Sequence, residues 1–186
     1  MMNGARLTCT LIACAWLAGA PTGCVTEYEE GQTPLSPQPA AIPAQPASLN
    51  VNRIAFHPTL YARDMNGNGR GDRFDATIYL WSEPYPFPIH EEGTLTLSLY
   101  RVGDYSDPQA EPLREWVFDS EAMRAARAKA LPGPCYYLQV SLLDDDHRAG
   151  DEIGSGTVDL VARFEQPGKR PITSGLSTVH LDHPAR

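Results

Sequence analysis

The residues best suited to chemistry in this chain fall in one stretch, Asp64-Met-Asn-Gly-Asn-Gly-Arg-Gly-Asp-Arg-Phe-Asp75. Counting from Asp64 puts Asp64, Asn66 and Asn68 at positions 1, 3 and 5, with Gly69 at 6, Arg70 at 7, Asp72 at 9 and Asp75 at 12. Oxygen donors at alternate positions let a short loop wrap a hard divalent cation, with glycine making the sharp turn and Arg70 offering its carbonyl. Calcium is the cofactor such a set would take, because it accepts roughly six to eight oxygens in a flexible shell. A second reading fits the same residues: a Gly/Asn-rich turn between two strands, in which they supply positive φ. Gly71 stands at position 8, where ion-binding loops usually carry an aliphatic residue, and Pro58 upstream argues against a flanking helix.

A second acidic cluster lies further on: Asp144, Asp145 and Asp146, then Asp151 and Glu152 before Ile153-Gly154. The first stretch resembles the dockerin variant of the EF-hand calcium loop, which likewise ends in aspartate. Taken together, the two clusters are similar to the calcium-dependent lipid-binding sandwich domains of the synaptotagmin and protein-kinase-C type. In those domains an aspartate loop precedes an acid-Pro-aromatic strand, and an Asp-x-Asp run precedes an acid-x-Ile-Gly. Here Asp72-Arg73-Phe74 stands at the first place, with Arg73 for the proline, and Asp144–Asp146 with Asp151-Glu152-Ile153-Gly154 at the second. The likeness covers most of residues 49–165 and implies a second candidate ligand set of Asp144, Asp146 and Asp151.

Other candidates are weaker. Trp81-Ser-Glu-Pro-Tyr-Pro-Phe-Pro88 alternates proline with aromatics, so Tyr85 and Phe87 could meet a partner or fold over an open sheet edge. His180 and His183 are spaced for a metal but have no third ligand nearby in sequence. No phosphate-binding loop, H-E-x-x-H or G-x-S-x-G occurs, and no catalytic residue is expected. The enzymatic alternative is an envelope hydrolase, or an accessory domain of one, drawing paired carboxylates from the two acidic loops. A deep pocket holding two convergent carboxylates would favour it.

Residues 1–23 read as an export leader: Arg6 supplies the positive region, and Leu7 to Ala20 form a 14-residue apolar stretch, too short for a bilayer-spanning helix. Pro21-Thr22-Gly23-Cys24 resembles a bacterial lipobox, which implies that Cys24 is diacylated and becomes the new N-terminus. Pro21 departs from the usual aliphatic residue there; it also spoils the rival cut after Ala18-Gly19-Ala20. Val25 rather than aspartate after Cys24 implies sorting to the outer membrane. Cys9 and Cys14 leave with the leader, so Cys135 remains unpaired, a small residue opening a strand.

Residues 24–48 form a solvated, proline-rich tether; Val25 to Ser48 contain five prolines, three glutamates and no basic residue. The chain carries a net charge of −8, and losing Arg6 leaves 14 basic against 23 acidic residues, −9. That balance repels phosphate backbones, so nucleic acid is not an expected partner, and attachment to a membrane would come from the lipid. An envelope protein or a glycan is the expected partner class.

The elements that must position these residues are strands. Leu95, Leu97 and Leu99 alternate with polar residues, as do Ala76, Ile78 and Leu80, then Tyr136, Leu138, Val140 and Leu142, then Val158, Leu160, Ala162 and Phe164. Weaker strands are expected at Leu49–Phe56, Leu113–Phe118 and Leu176–Leu181. About seven short strands predict an all-β antiparallel sandwich over residues 49–182, immunoglobulin-like or of the calcium-lipid-binding kind, with a tail at 183–186. One helix is expected from Asp119 or Ser120 to about Ala130, stopped by Pro132-Gly133-Pro134. Leader, tether, acidic loop and late aromatic strand together resemble small bacterial lipoproteins with a single sandwich domain. That likeness implies location and fold and no particular activity.

Overall fold

A computed structural model describes residues 43–44, 49–143, 153–154 and 156–182. The leader, Cys24, nearly all of the tether, the acids from Asp144 to Glu152, and His183 with the rest of the tail lie outside the described residues.

Among the described residues nine strands form: β1 (Arg53–Pro58), β2 (Arg73–Trp81), β3 (Thr94–Arg101), β4 (Arg114–Phe118), β5 (Arg127–Ala130), β6 (Gly133–Ser141), β7 (Thr157–Glu165), β8 (Ile172–Thr173) and β9 (Ser177–His180). A helix, α1 (Ser120–Ala125), and a 3-10 turn at Asp104–Ser106 interrupt them. One sheet runs β1-β2-β6-β5; the other runs β4-β3-β7-β8, and β9 also pairs with β7. Every strand pair is antiparallel. The fold is an all-β sandwich.

Alternation along each strand explains the layering, because a period of two sends every second side chain to the same face. Leu95, Leu97 and Leu99 of β3, Ala76, Ile78 and Leu80 of β2, Leu138 and Val140 of β6, and Leu160, Ala162 and Phe164 of β7 all lie in one buried cluster. Burying a leucine or isoleucine fully is worth roughly 1.5–3 kcal/mol, so these inward rows hold the two sheets together. Tyr136 is the largest of them. It meets its polar requirement at the edge of the core, where its hydroxyl donates to the Glu91 carbonyl at 2.7 Å and accepts from the Glu91 amide at 2.8 Å.

Two local expectations change. The helix begins as expected, with the Asp119 carboxylate accepting from the Ala122 amide at 2.8 Å. It ends at Ala125, five residues early, because Arg127–Ala130 leave it to form β5 against Tyr136–Gly133. A six-residue helix gains little by itself. The exposed edge of β6, by contrast, offers a row of unpaired backbone groups that a two-residue turn at Leu131-Pro132 brings within reach. Strand β8 is a two-residue segment and too short to show periodicity.

Candidate metal site and other candidate residues

The acidic loop leaves β1 and returns as β2, so the sandwich holds both of its ends. Just below it a narrow stem closes. The Arg63 amide donates to the Arg73 carbonyl at 2.6 Å, and the Asp72 and Arg73 amides donate to the Arg63 carbonyl at 2.8 and 3.0 Å.

Above this stem the side chains fold back onto the loop's own backbone. The two Asp64 carboxylate oxygens accept from Gly67 N–H at 2.6 Å and Gly69 N–H at 2.8 Å. The Asn66 side-chain oxygen accepts from Asn68 N–H at 3.1 Å, and that of Asn68 from Arg70 N–H at 2.9 Å. Gly67 and Gly69 take φ of 79° and 87°, values that a Cβ would strain. The donors at positions 1, 3 and 5 are thereby curled into successive turns. This much suits an ion loop and a plain turn equally.

Asp72 bears on both readings. It is fully buried, and its Oδ2 accepts from the Met65 amide at 3.0 Å and the Asn66 amide at 3.1 Å, fastening the far side of the loop to its start. Its Oδ1 is buried and has no hydrogen-bond partner. A buried oxygen left this way typically costs about 1–3 kcal/mol, and buried polar atoms are rarely left so without a reason. A cation would supply the missing partner. The oxygen donors on this loop are two carboxylates (Asp64, Asp72), two side-chain amides (Asn66, Asn68) and the Arg70 carbonyl. Among the described residues no three His, Cys, Asp or Glu side chains cluster, so an ion here would depend on the amides and the carbonyl.

Asp75 does not join this group. Asp72 continues the β2–β6 ladder through the Leu142 amide, which donates to its carbonyl at 2.7 Å. Asp75, an odd number of residues on, therefore faces outward. There its carboxylate pairs with the Arg63 guanidinium, and it pushes up the phenol of the neighbouring Tyr137. The sequence count placed it twelfth in a loop; strand alternation carries it to the other face.

Nothing in the sequence marks Met65 or Arg63, whose backbone groups hold Asp72 in place. The departure at Gly71 is the one signal of how closely the loop packs. A Cβ there would sit 2.6 Å from Ala62 Cβ and 2.7 Å from Ala62 O, so an aliphatic residue has no room.

The remaining candidates are used within the chain. Tyr85 and Phe87 meet edge to face, with ring centroids 6.1 Å apart, and Tyr85 also packs on the core. His180 stacks on Tyr61 at 5.2 Å and lies 3.2 Å from the Thr157 hydroxyl through Nδ1. Cys135 is buried at the start of β6, and burial pushes its thiol up, away from the reactive thiolate. Surface cavities of about 670 and 470 Å³ have no Asp or Glu in their linings, and two of about 450 and 350 Å³ have one glutamate each, Glu115 and Glu165. Asp144, Asp146 and Asp151 lie outside the described residues.

No protein-family model, no curated protein and no solved structure matches this chain.

Proposed function

We propose that this chain is a lipid-anchored module of the cell envelope, serving binding or structure rather than catalysis, whose sandwich is stabilised by a calcium ion in the Asp64–Asp72 loop. The observation that carries the calcium reading is the buried, unpartnered Oδ1 of Asp72 inside a loop of oxygen donors. The anchor rests on the apolar run Leu7–Ala20 followed by Thr22-Gly23-Cys24, and on the outer membrane as destination of a chain with Val25 next. A proline-rich tether would then hold the sandwich clear of the bilayer, where it could reach an envelope protein or glycan.

The ion's role is electrostatic. It draws Asp64, Asn66, Asn68, Asp72 and the Arg70 carbonyl inward, and it offsets the cost of burying Asp72. Extracellular loops of this kind hold calcium at roughly 10⁻⁴–10⁻³ M. Titration calorimetry of the chain with calcium should show one ion per molecule, with Asp64→Ala abolishing the heat. No binding up to about 10 mM calcium, well above that range, would refute the calcium reading.

A further inference from the structure

We infer that calcium in the Asp64–Asp72 loop controls how tightly the C-terminal strand β9 is docked, an inference that rests on the calcium reading above. The loop and its stem do not end at the sheet edge; they clasp β9. The Ala62 amide donates to the His180 carbonyl at 2.9 Å, and the His180 amide donates to the Leu60 carbonyl at 2.8 Å. Tyr61 forms a parallel bridge with His180 and stacks its ring on the imidazole. From the other limb of the loop, the Gly71 amide donates to the Leu181 carbonyl at 2.6 Å, within an antiparallel bridge of Arg70 to Asp182.

Residues 180–182 are therefore held between the two limbs of one loop, 60–62 on one side and 70–71 on the other. The ligand positions adjoin those limbs: Asp64 follows the first, Arg70 lies in the second, and Asp72 follows it. Drawing Asp64 and Asp72 toward one ion draws the two limbs onto β9. The third side is already fixed, since the Leu181 amide donates to the Gly156 carbonyl at 2.8 Å and a Cβ on Gly156 would collide with the Asp182 carboxylate.

What β9 contributes makes this consequential. Val179 of β9 and Leu181 just after it are buried in the core, and β9 pairs with only four residues of β7, from Thr157 to Leu160. A short strand with a short ladder depends on its other contacts, and the clasp supplies three backbone hydrogen bonds between residues 60–71 and 180–181, beside the Leu181–Gly156 bond. Segments of this kind open below the free energy of global unfolding. Removing the ion should lower that local opening cost first at β9 and the loop stem.

Coupling is reciprocal, so loosening the clasp must also weaken calcium. Gly71→Ala is the test variant, because it removes no ligand oxygen but forces the 71 backbone away from Ala62. Hydrogen exchange on the full chain should show the amides of Ala62, Gly71, His180 and Leu181 slowed about tenfold at calcium ten times its dissociation constant. Amides that open locally at the β5 edge, Arg127–Ala130, should be unchanged. In Gly71→Ala the clasp amides should exchange faster and calcium affinity should fall with them. Should that variant not fold, Tyr61→Ala, which removes only the ring stacked on His180, takes its place with the same expectations. Calcium binding with clasp amides that exchange equally with and without it would overturn this inference and leave the proposed site standing. Absence of calcium binding in the wild-type chain would overturn both.

Discussion

Replacing Asp72 by asparagine should have opposite meanings with and without calcium. Asp72 is completely buried, and only one of its two oxygens has hydrogen-bond partners, the Met65 and Asn66 amides. In Asp72→Asn the amide oxygen can keep both of those bonds, and the NH₂ group replaces Oδ1, which has no partner to lose. Two charge-assisted bonds become neutral ones, which costs about 1–2 kcal/mol each. Removing an incompletely satisfied carboxylate from the interior returns a few kcal/mol of opposite sign. Without calcium the variant should therefore match the wild type to within about 1 kcal/mol.

With calcium the two should separate. A ligand that binds only the folded state adds RT ln(1 + [L]/Kd), about 1.4 kcal/mol at 2 mM calcium and a dissociation constant of 0.2 mM. The unfolding entropy of a domain of about 135 residues is roughly 0.28 kcal/mol/K, so the wild-type midpoint should rise by about 5 °C. Asp72→Asn lacks the second carboxylate and should show almost none of that rise. The assay is calorimetric melting of both proteins in calcium and in chelator. If the gap between them is the same in both buffers, Asp72 is a structural staple and the ion argument fails. Asp72→Ala is the poorer probe, since it orphans the Met65 and Asn66 amides whether or not calcium is present.

Three further outcomes follow from the fold and the leader. Leu97→Ala, at a fully buried position on β3, should cost about 2–5 kcal/mol in urea unfolding; a loss below about 1 kcal/mol would contradict the packing described. Burial holds the Tyr136 phenol above its ordinary value, so the folded chain keeps a proton that the unfolded chain releases above about pH 10. Stability should be indifferent to this group below that pH and fall as pH rises beyond it. Tyr136→Phe should flatten that alkaline limb while costing about 1–3 kcal/mol at neutral pH, because both Glu91 backbone groups lose their partner; an alkaline limb of unchanged slope would argue against it. Mass spectrometry of the membrane fraction should find a diacylated N-terminus at Cys24, and Cys24→Ser should release soluble protein. A mature chain beginning at Pro21 would be the contrary result.

The sandwich was legible in the sequence because alternation is a local property. The rows Leu95-Leu97-Leu99 and Val158-Leu160-Ala162-Phe164 announce a buried face whatever they pair with, and all seven are buried. The ion-loop spacing was legible for the same reason: alternate oxygens and a turn glycine are written in consecutive residues. Asp64, Asn66 and Asn68 curl the loop through contacts no more than five residues away.

What the sequence left open depended on partners distant along the chain. Arg127–Ala130 suits a helix by propensity, and only the unpaired edge of β6 turns it into a strand. Asp75 reads as the twelfth residue of a loop until β2 is seen to begin at Arg73, after which parity sends it outward to Arg63. Asp72 gives no sign in sequence that one of its oxygens is buried without a partner, because that depends on how the loop closes over it. Nor does Gly71 reveal that it bonds to Leu181, more than a hundred residues away. Period and turn chemistry are set by neighbours along the chain, whereas register, facing and satisfaction of buried polar atoms are set by whatever the folded chain brings beside them.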